Sequence, residues 1–216
     1  MSNIIQNNKD CITIACSKGY LWQKTLDLLS QMGYQFDNDL TESRQLFTFD
    51  TTGKLKLMKV RPWDVPVYLE QGAADLGMVG KDVLIEQSAN VLELQDLKFG
   101  GCRLVVAGPE SEKDTFKRHN IRVATKYEAA TLGYFQQNAI RCIPIKMYGA
   151  MELAPTTGVA DIICDLTATG QTLKENGLVE YDTVFSSTAR LVANKVSFMT
   201  KYTPIQDIYQ RLSACI

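Results

Sequence analysis

The residues with the most chemistry to offer lie between Glu152 and Leu178, in ELAPTTGVADIICDLTATGQTLKENGL. A short apolar run there has an acid at each end, Asp161-Ile162-Ile163-Cys164-Asp165, and leads into a small-residue turn from Leu166 to Thr172. A polar, helix-like segment follows and is closed by Asn176-Gly177. Buried strand, tight turn and helix start together make a phosphate-binding arrangement. The first turn of a helix has N–H groups without partners, and they carry the positive end of its dipole. Gly170 lets the backbone approach an anion, while Thr167, Thr169 and Thr172 offer hydroxyl donors. Asp165, at the strand end, is placed for ribose hydroxyls or a metal-bound pyrophosphate. The same Thr-Gly turn also serves as a plain helix N-cap, so these few residues leave both readings open.

Other corners of the chain add cations. CITIAC (11–16) is an apolar run ending at Ser17-Lys18-Gly19, and a helical pattern follows with apolar residues at Leu21, Trp22, Leu26, Leu28 and Leu29 before Gly33. That corner is ready for an anion, or is a simple strand–helix connection with a solvated lysine. The segment ESRQLFTF (42–49) presents Arg44, whose guanidinium stays charged and can grip phosphate oxygens in a bidentate way. Its bland alternative is a surface arginine beside an edge strand. Leu55–Val60 alternates around lysines and leads to Arg61-Pro62-Trp63-Asp64-Val65-Pro66, a turn and helix start where Asp64 suits a cap. GAADLGMVGKDVL (72–84) reads as a helix end, a buried strand over Leu76–Val79, and Gly80-Lys81-Asp82 opening a helix. Gly80 would let a nucleotide approach, Lys81 is a phosphate ligand or an exposed lysine, and Asp82 is most simply an N-cap.

Composition sets bounds on partners. The 216 residues are 45% hydrophobic and 22% charged with net charge −1, as in ordinary soluble globular proteins. Nothing in that balance favours nucleic acid or an anionic membrane, so an anionic substrate needs a local site. MSNIIQNNKD has no apolar core of a secretory signal, no run reaches transmembrane length, and a cytoplasmic location is expected. The six cysteines form no CxxC pair and suit buried thiols. The lone His119 lies in a charged segment, so no histidine metal site or triad can be built and catalysis falls to Arg, Lys, acids and backbone.

FGGCRLVVAG (99–108) and FSSTARLVAN (185–194) look alike and read as two crossover strands joining a pair of α/β lobes. Between them IRVATKY (121–127), a helical segment (128–139) and the strand Cys142–Lys146 lead into the opening stretch. One lobe would be residues 1–102 with the amphipathic tail 186–216, the other 103–185.

The stretch from Glu152 resembles the phosphoribosyl-pyrophosphate signature of the ATP phosphoribosyltransferases, which open histidine biosynthesis. Glu-Leu-Ala-Pro, Gly-x-Ala-Asp, Asp-x-x-x-Thr-Gly-x-Thr-Leu and Asn-Gly-Leu follow almost without a gap. The likeness extends over nearly all of 11–212, through Ser-Arg-x-Leu at Arg44, Arg-x-x-Asp-Val-Pro at Arg61 and the stretch around Gly80 and Lys81. One departure is Tyr20, where the family has arginine after Lys18-Gly19; a phosphate-neutralising contribution is missing there.

The resemblance implies a two-lobed, periplasmic-binding-protein-like (type II) α/β fold and the joining of ATP N1 to C1 of phosphoribosyl pyrophosphate. It assigns the 5′-phosphate to the turn Thr167, Ala168, Thr169, Gly170, Gln171 and Thr172, and the ribose hydroxyls to Asp165 with Asp161. Glu152 would contact metal-bound water, or be an N-cap partner near Pro155. Arg44 and Lys18 would be the catalytic cations, with Arg61 and Lys81 at the nucleotide and Mg2+ carried by the pyrophosphate. The short form it matches works as a homo-oligomer, a dimer within a hetero-oligomer with a histidyl-tRNA-synthetase-like regulatory subunit. Three rivals stay in view: a non-catalytic solute-binding module, a regulatory pseudo-enzyme given Tyr20, and a phosphoribosyltransferase of the other common fold. The last needs two adjacent acids where Ile163-Cys164 stands.

Overall fold

The computed structural model describes residues 11–36, 45–114 and 116–216. Its contacts divide the chain into two units. The first takes the chain to Leu84 together with Ser88–Gly100 and Thr188–Ile216; the second takes Ile85–Gln87 and Gly101–Ser187. In chain order the first contributes β1 (Ile12–Ser17), α1 (Tyr20–Gln31), β2 (Phe47–Phe49), β3 (Leu55–Val60), α2 (Val65–Glu70), β4 (Leu76–Gly80), α3 (Lys81–Gln87) and β5 (Leu92–Asp96). The last turn of α3 counts with the second unit. The second contributes β6 (Cys102–Pro109), β7 (Ile121–Thr125), α4 (Glu128–Gln137), β8 (Cys142–Lys146), α5 (Leu153–Thr156), β9 (Ile162–Thr167), α6 (Gln171–Glu175) and β10 (Leu178–Ser187). The chain then returns for β11 (Ala189–Ala193), α7 (Lys195–Thr200) and α8 (Tyr202–Ser213).

The first unit is built on a six-stranded sheet in the order β2-β3-β1-β4-β11-β5. Strands β3, β1 and β4 are parallel neighbours, and the returning β11 inserts antiparallel between β4 and β5. The period of two in β1 explains why both faces are covered. Ile12, Ile14 and Cys16 pack with Trp22, Leu28 and Leu29 of α1 and with Ile205, Ile208 and Leu212 of α8. Ala15 points the other way, into a core with Val65 and Leu69 of α2 and Val83 of α3.

The second unit is a five-stranded sheet in the order β10-β6-β9-β7-β8. Here β9, β7 and β8 are parallel, and β6 inserts antiparallel between β10 and β9. One face carries Val105, Ala107, Ala124 and Ile163 against Met151, Ala154 and Leu173, which fixes α5 and α6 to the sheet.

The segment 185–194, read from sequence as one strand, is two. β10 ends at Ser187 and β11 begins at Ala189, with Thr188 at the passage between units. Among the described residues no helix is long and apolar enough to cross a membrane. In each unit the parallel strands end at one edge of the sheet, where open α/β sheets bind their ligands.

Candidate active site

In the second unit the carboxyl ends of β9, β7 and β8 lie side by side, with Thr125 paired to both Cys164 and Lys146. From β9 the chain enters the Thr-Gly turn. The buried Thr167 hydroxyl accepts the Gly170 N–H at 2.8 Å, and the Thr169 hydroxyl accepts the Gln171 N–H at 3.3 Å. Each hydroxyl keeps its own proton to donate. Gly170 sits at the N-cap of α6 with φ 78° and ψ 0°. A Cβ there would meet nothing within 4 Å, so backbone conformation alone selects glycine. Ala168, Thr169, Gln171 and Thr172 are exposed, and the Gln171 amide is spent on Glu175 at 2.7 Å.

Asp165 stands just before this turn and accepts the Leu166 N–H at 2.8 Å. Burial pushes its carboxyl above the usual range, the Glu152 charge adds to that, and the Leu166 N–H and Lys126 oppose it. Glu152 occupies the N-cap position of α5 without a side-chain cap bond, so the plain capping alternative is not formed.

Asp161 requires a correction. It precedes β9, so four residues of strand, about 13 Å, separate it from Asp165. Its Oδ2 accepts the Arg122 N–H at 2.8 Å and its Oδ1 meets Arg122 Nη2 at 2.8 Å, with Arg118 Nη2 at 3.8 Å. Those bonds hold its carboxyl below the usual range. Asp161 ties strands together at the far end of the sheet and is not at the turn.

Sequence reasoning did not single out the neighbouring corner between β7 and α4. The Thr125 hydroxyl donates to Cys164 O at 2.7 Å and accepts the Tyr127 N–H at 2.9 Å. The Glu86 carboxylate accepts the Ala129 and Ala130 N–H groups, each at 2.9 Å. The start of α4 is therefore filled by an internal carboxylate, whereas at α6 only the Gln171 N–H is taken, by the Thr169 hydroxyl, and the N-cap residue Gly170 makes no side-chain cap bond. Burial pushes the Cys164 thiol to about 12, which leaves it an inert packing group.

In the first unit Lys18 follows β1, Arg61 follows β3 and Lys81 follows β4, three adjacent parallel strands. Lys18 and Arg61 are exposed, and the Lys18 N–H donates to Val60 O at 2.9 Å. Gly19 precedes α1 with φ 84°, and Tyr20 stands 60% exposed beside Lys24. Lys81 is not a simple solvated lysine, because its ammonium pairs with Glu93. Gly80 has an internal reason as well: a Cβ there would lie 2.1 Å from Oδ1 of the buried Asp82, which would have to shift to admit it. Asp82 lies in the first turn of α3, and Asp64 holds the N-cap position of α2 without a side-chain cap bond. Arg44 lies outside the described residues.

The corners from Arg61 onward fall within a span that matches the HisG family model, ATP phosphoribosyltransferase, over residues 61–214, and the Lys18 corner precedes it. The chain belongs to the ATP phosphoribosyltransferase family. It is 44% identical over 207 residues to the ATP phosphoribosyltransferase of Caldanaerobacter subterraneus subsp. tengcongensis, covering 96% of this chain and 98% of that one. It is 46% identical to the Moorella thermoacetica protein of the same name, covering 93% and 91%.

Among solved structures it is similar to the ATP phosphoribosyl transferase (HisG:HisZ) complex from Thermotoga maritima. The TM-score is 0.82 at 32% identity, over 94% of this chain and 98% of that one. The aliphatic sulphonate binding protein SsuA of Escherichia coli shares the fold alone, with TM-score 0.61 at 14% identity over 95% of this chain and 68% of that one. The structural likenesses establish a type II periplasmic-binding-protein-like fold, and the family establishes a pentosyltransferase of histidine biosynthesis.

Proposed function

We propose that this ATP phosphoribosyltransferase transfers the 5-phosphoribosyl group of phosphoribosyl pyrophosphate to N1 of ATP. The N1–C1 bond forms as the bond from C1 to the pyrophosphate oxygen breaks, giving phosphoribosyl-ATP and pyrophosphate. The adenine nucleophile is neutral and weak, so the protein's work is alignment and the stabilisation of departing charge. The observation that carries the reading is the Asp165-to-Thr172 corner: an acid at a strand end, a glycine-set turn and a helix start whose N-cap residue makes no side-chain cap bond. The turn hydroxyls, with those turn N–H groups that Thr167 and Thr169 do not accept, would hold the 5′-phosphate, and Asp165 would accept from the ribose hydroxyls.

Lys18 and Arg61, with Arg44, would meet ATP and pyrophosphate from the first unit. That unit would form the nucleotide lobe with the tail, and the second the phosphoribosyl pyrophosphate lobe. Mg2+ fits as an ion that arrives with the pyrophosphate. No group of three or more His, Cys, Asp or Glu among the described residues could hold a metal, while Glu152 and Asp165 share one field and suit its bound waters. When bound, the ion neutralises leaving-group charge. By the same family reading the chain acts in the cytoplasm as a dimer within a hetero-oligomer. Its partner would be a histidyl-tRNA-synthetase-like regulatory subunit, a reading that the two-component HisG:HisZ complex of Thermotoga maritima supports.

Pyrophosphate release from purified chain with Mg2+, ATP and phosphoribosyl pyrophosphate tests this, together with absorbance of the modified adenine. Turnover should require both substrates and fall about 10²–10³-fold in Arg44→Ala, the size expected for losing one transition-state cation. The assay is repeated with the regulatory subunit added. Silence in both arms with ATP still bound would overturn the transferase reading in favour of a binding module.

A further inference from the structure

Lys81 occupies an unfavourable place for a cation. It opens α3, where the positive end of the helix dipole disfavours another positive charge, and its ammonium is caught by Glu93 of β5. That pair is one end of a row of alternating charges within the first unit. Glu93 Oε1 also meets Arg190 Nε of β11 at 3.0 Å, and Arg190 Nη1 reaches Asp96 at the end of β5. Asp96 accepts the Lys98 N–H at 2.9 Å and the Thr188 hydroxyl at 2.8 Å. Burial by itself would raise the Asp96 carboxyl, but the Lys98 N–H, Arg190 and the Thr188 hydroxyl hold it at about 2. Strand order dictates the sequence of charges: β11 lies between β4 and β5, with Arg190 opposite Val79 on one side and Asp96 on the other.

The Lys81–Glu93 contact is the separable member of this row. Glu93 is shared by two cations, so it keeps Arg190, whose side chain is only 16% exposed, as an ion-pair partner when Lys81 leaves, although Arg190 also serves Asp96. The Lys81 and Glu93 side chains are 32% and 36% exposed, where an ion pair adds little to stability. Lys81 also stands on the same sheet edge as Lys18 and Arg61.

We propose that Glu93 is a built-in competitor for Lys81, holding its ammonium until phosphate oxygens of the nucleotide replace the carboxylate. Arg190 and Asp96 act as positioning residues that keep Glu93 within reach. This rests on the chain being an ATP phosphoribosyltransferase with ATP at the first unit.

The test compares Glu93→Gln, Lys81→Ala and the double variant in the full chain. ATP calorimetry and steady-state kinetics are read together, with the regulatory subunit present where turnover needs it. Glu93→Gln should lower Kd and KM for ATP about two- to five-fold, the size of a half-exposed ion pair, and leave KM for phosphoribosyl pyrophosphate in place. Lys81→Ala should raise both ATP constants, and on that background Glu93→Gln should have no further effect. An ATP affinity that is unmoved or weakened in a folded Glu93→Gln chain overturns the competition, as does Lys81→Ala without effect on ATP. Where Glu93→Gln does not fold, Glu93→Asp shortens the hold by one methylene and should lower KM in the same direction. Absent turnover in the unaltered chain indicts the proposed reaction, and calorimetry still reads the competition.

Discussion

Two aspartates on either side of one strand illustrate how placement decides a residue's work. Asp165 is pushed up by burial and Glu152, so the folded chain binds its proton more tightly than the unfolded chain. Its contribution to stability is intact below the ordinary aspartate value of 3.8 and declines as pH rises from there to its raised native value. At neutral pH Asp165→Asn should therefore raise the unfolding midpoint while activity falls. A lower midpoint with full activity would refute that account. Asp161 has the opposite sign. Arg122 holds it down, so its contribution is complete above 3.8 and is lost as pH falls through its lowered native value. Asp161→Asn should lower the midpoint at neutral pH and leave KM for both substrates alone, which steady-state kinetics on the folded fraction would check. Gly170→Ala meets no obstacle within 4 Å but must hold φ 78°. A cost of about 1–2 kcal/mol is expected in denaturant titrations, with a raised KM for phosphoribosyl pyrophosphate as the turn distorts.

Among the elements, those legible in the sequence are those buried on both faces. β1, β4, β7 and β9 are apolar runs because helices cover both sides of the sheets, β3 alternates around Lys56 and Lys59 with Leu55 and Leu57 buried, and the helical spacing of Trp22, Leu28 and Leu29 is the stripe that meets the first sheet. β5 and β10 escaped because they are edge strands with half-exposed polar side chains, so strand pairing, not hydrophobic patterning, makes them. The Thr-Gly turn was legible because its bonds span three residues or fewer, as Gly170 to Thr167 does. The bond from Glu86 of α3 to the start of α4 was not, since its partners lie 43 and 44 residues away and nothing local marks the pairing. Asp161 was misjudged because DIICD is symmetrical in acids and only the direction of the strand separates the two ends. The tail offers a test at this scale. Ile208 is 3% exposed and joins α8 to α1 and the sheet. Ile208→Ala should cost about 2–5 kcal/mol in urea titration with an unchanged m-value. A cost under 1 kcal/mol would mean α8 adds little to that core.

At the scale of the whole molecule, the chain passes between its units only in short steps, at Gly100/Gly101 and Ser187/Thr188, apart from the last turn of α3. Each unit has its own sheet and its own core, so each can respond to a ligand by itself. A ligand that binds only the folded state slows local opening around it by mass action, about 2.7 kcal/mol at a hundred times its Kd. Hydrogen exchange can thus assign each substrate to a unit before any turnover occurs. Phosphoribosyl pyrophosphate with Mg2+ should protect the Asp165–Glu175 corner and the N–H groups around Glu152, leaving the starts of α1 and α3 at their ligand-free rates. ATP should do the reverse, slowing exchange after β1, β3 and β4. Protection of the first unit by phosphoribosyl pyrophosphate alone would reverse the assignment of the lobes, even with the family and the reaction unchanged. The Arg190–Asp96 row gives the same experiment a finer reading: ATP that draws Lys81 from Glu93 should leave the Lys98 N–H protected, because its acceptor Asp96 stays held by Arg190 and Thr188.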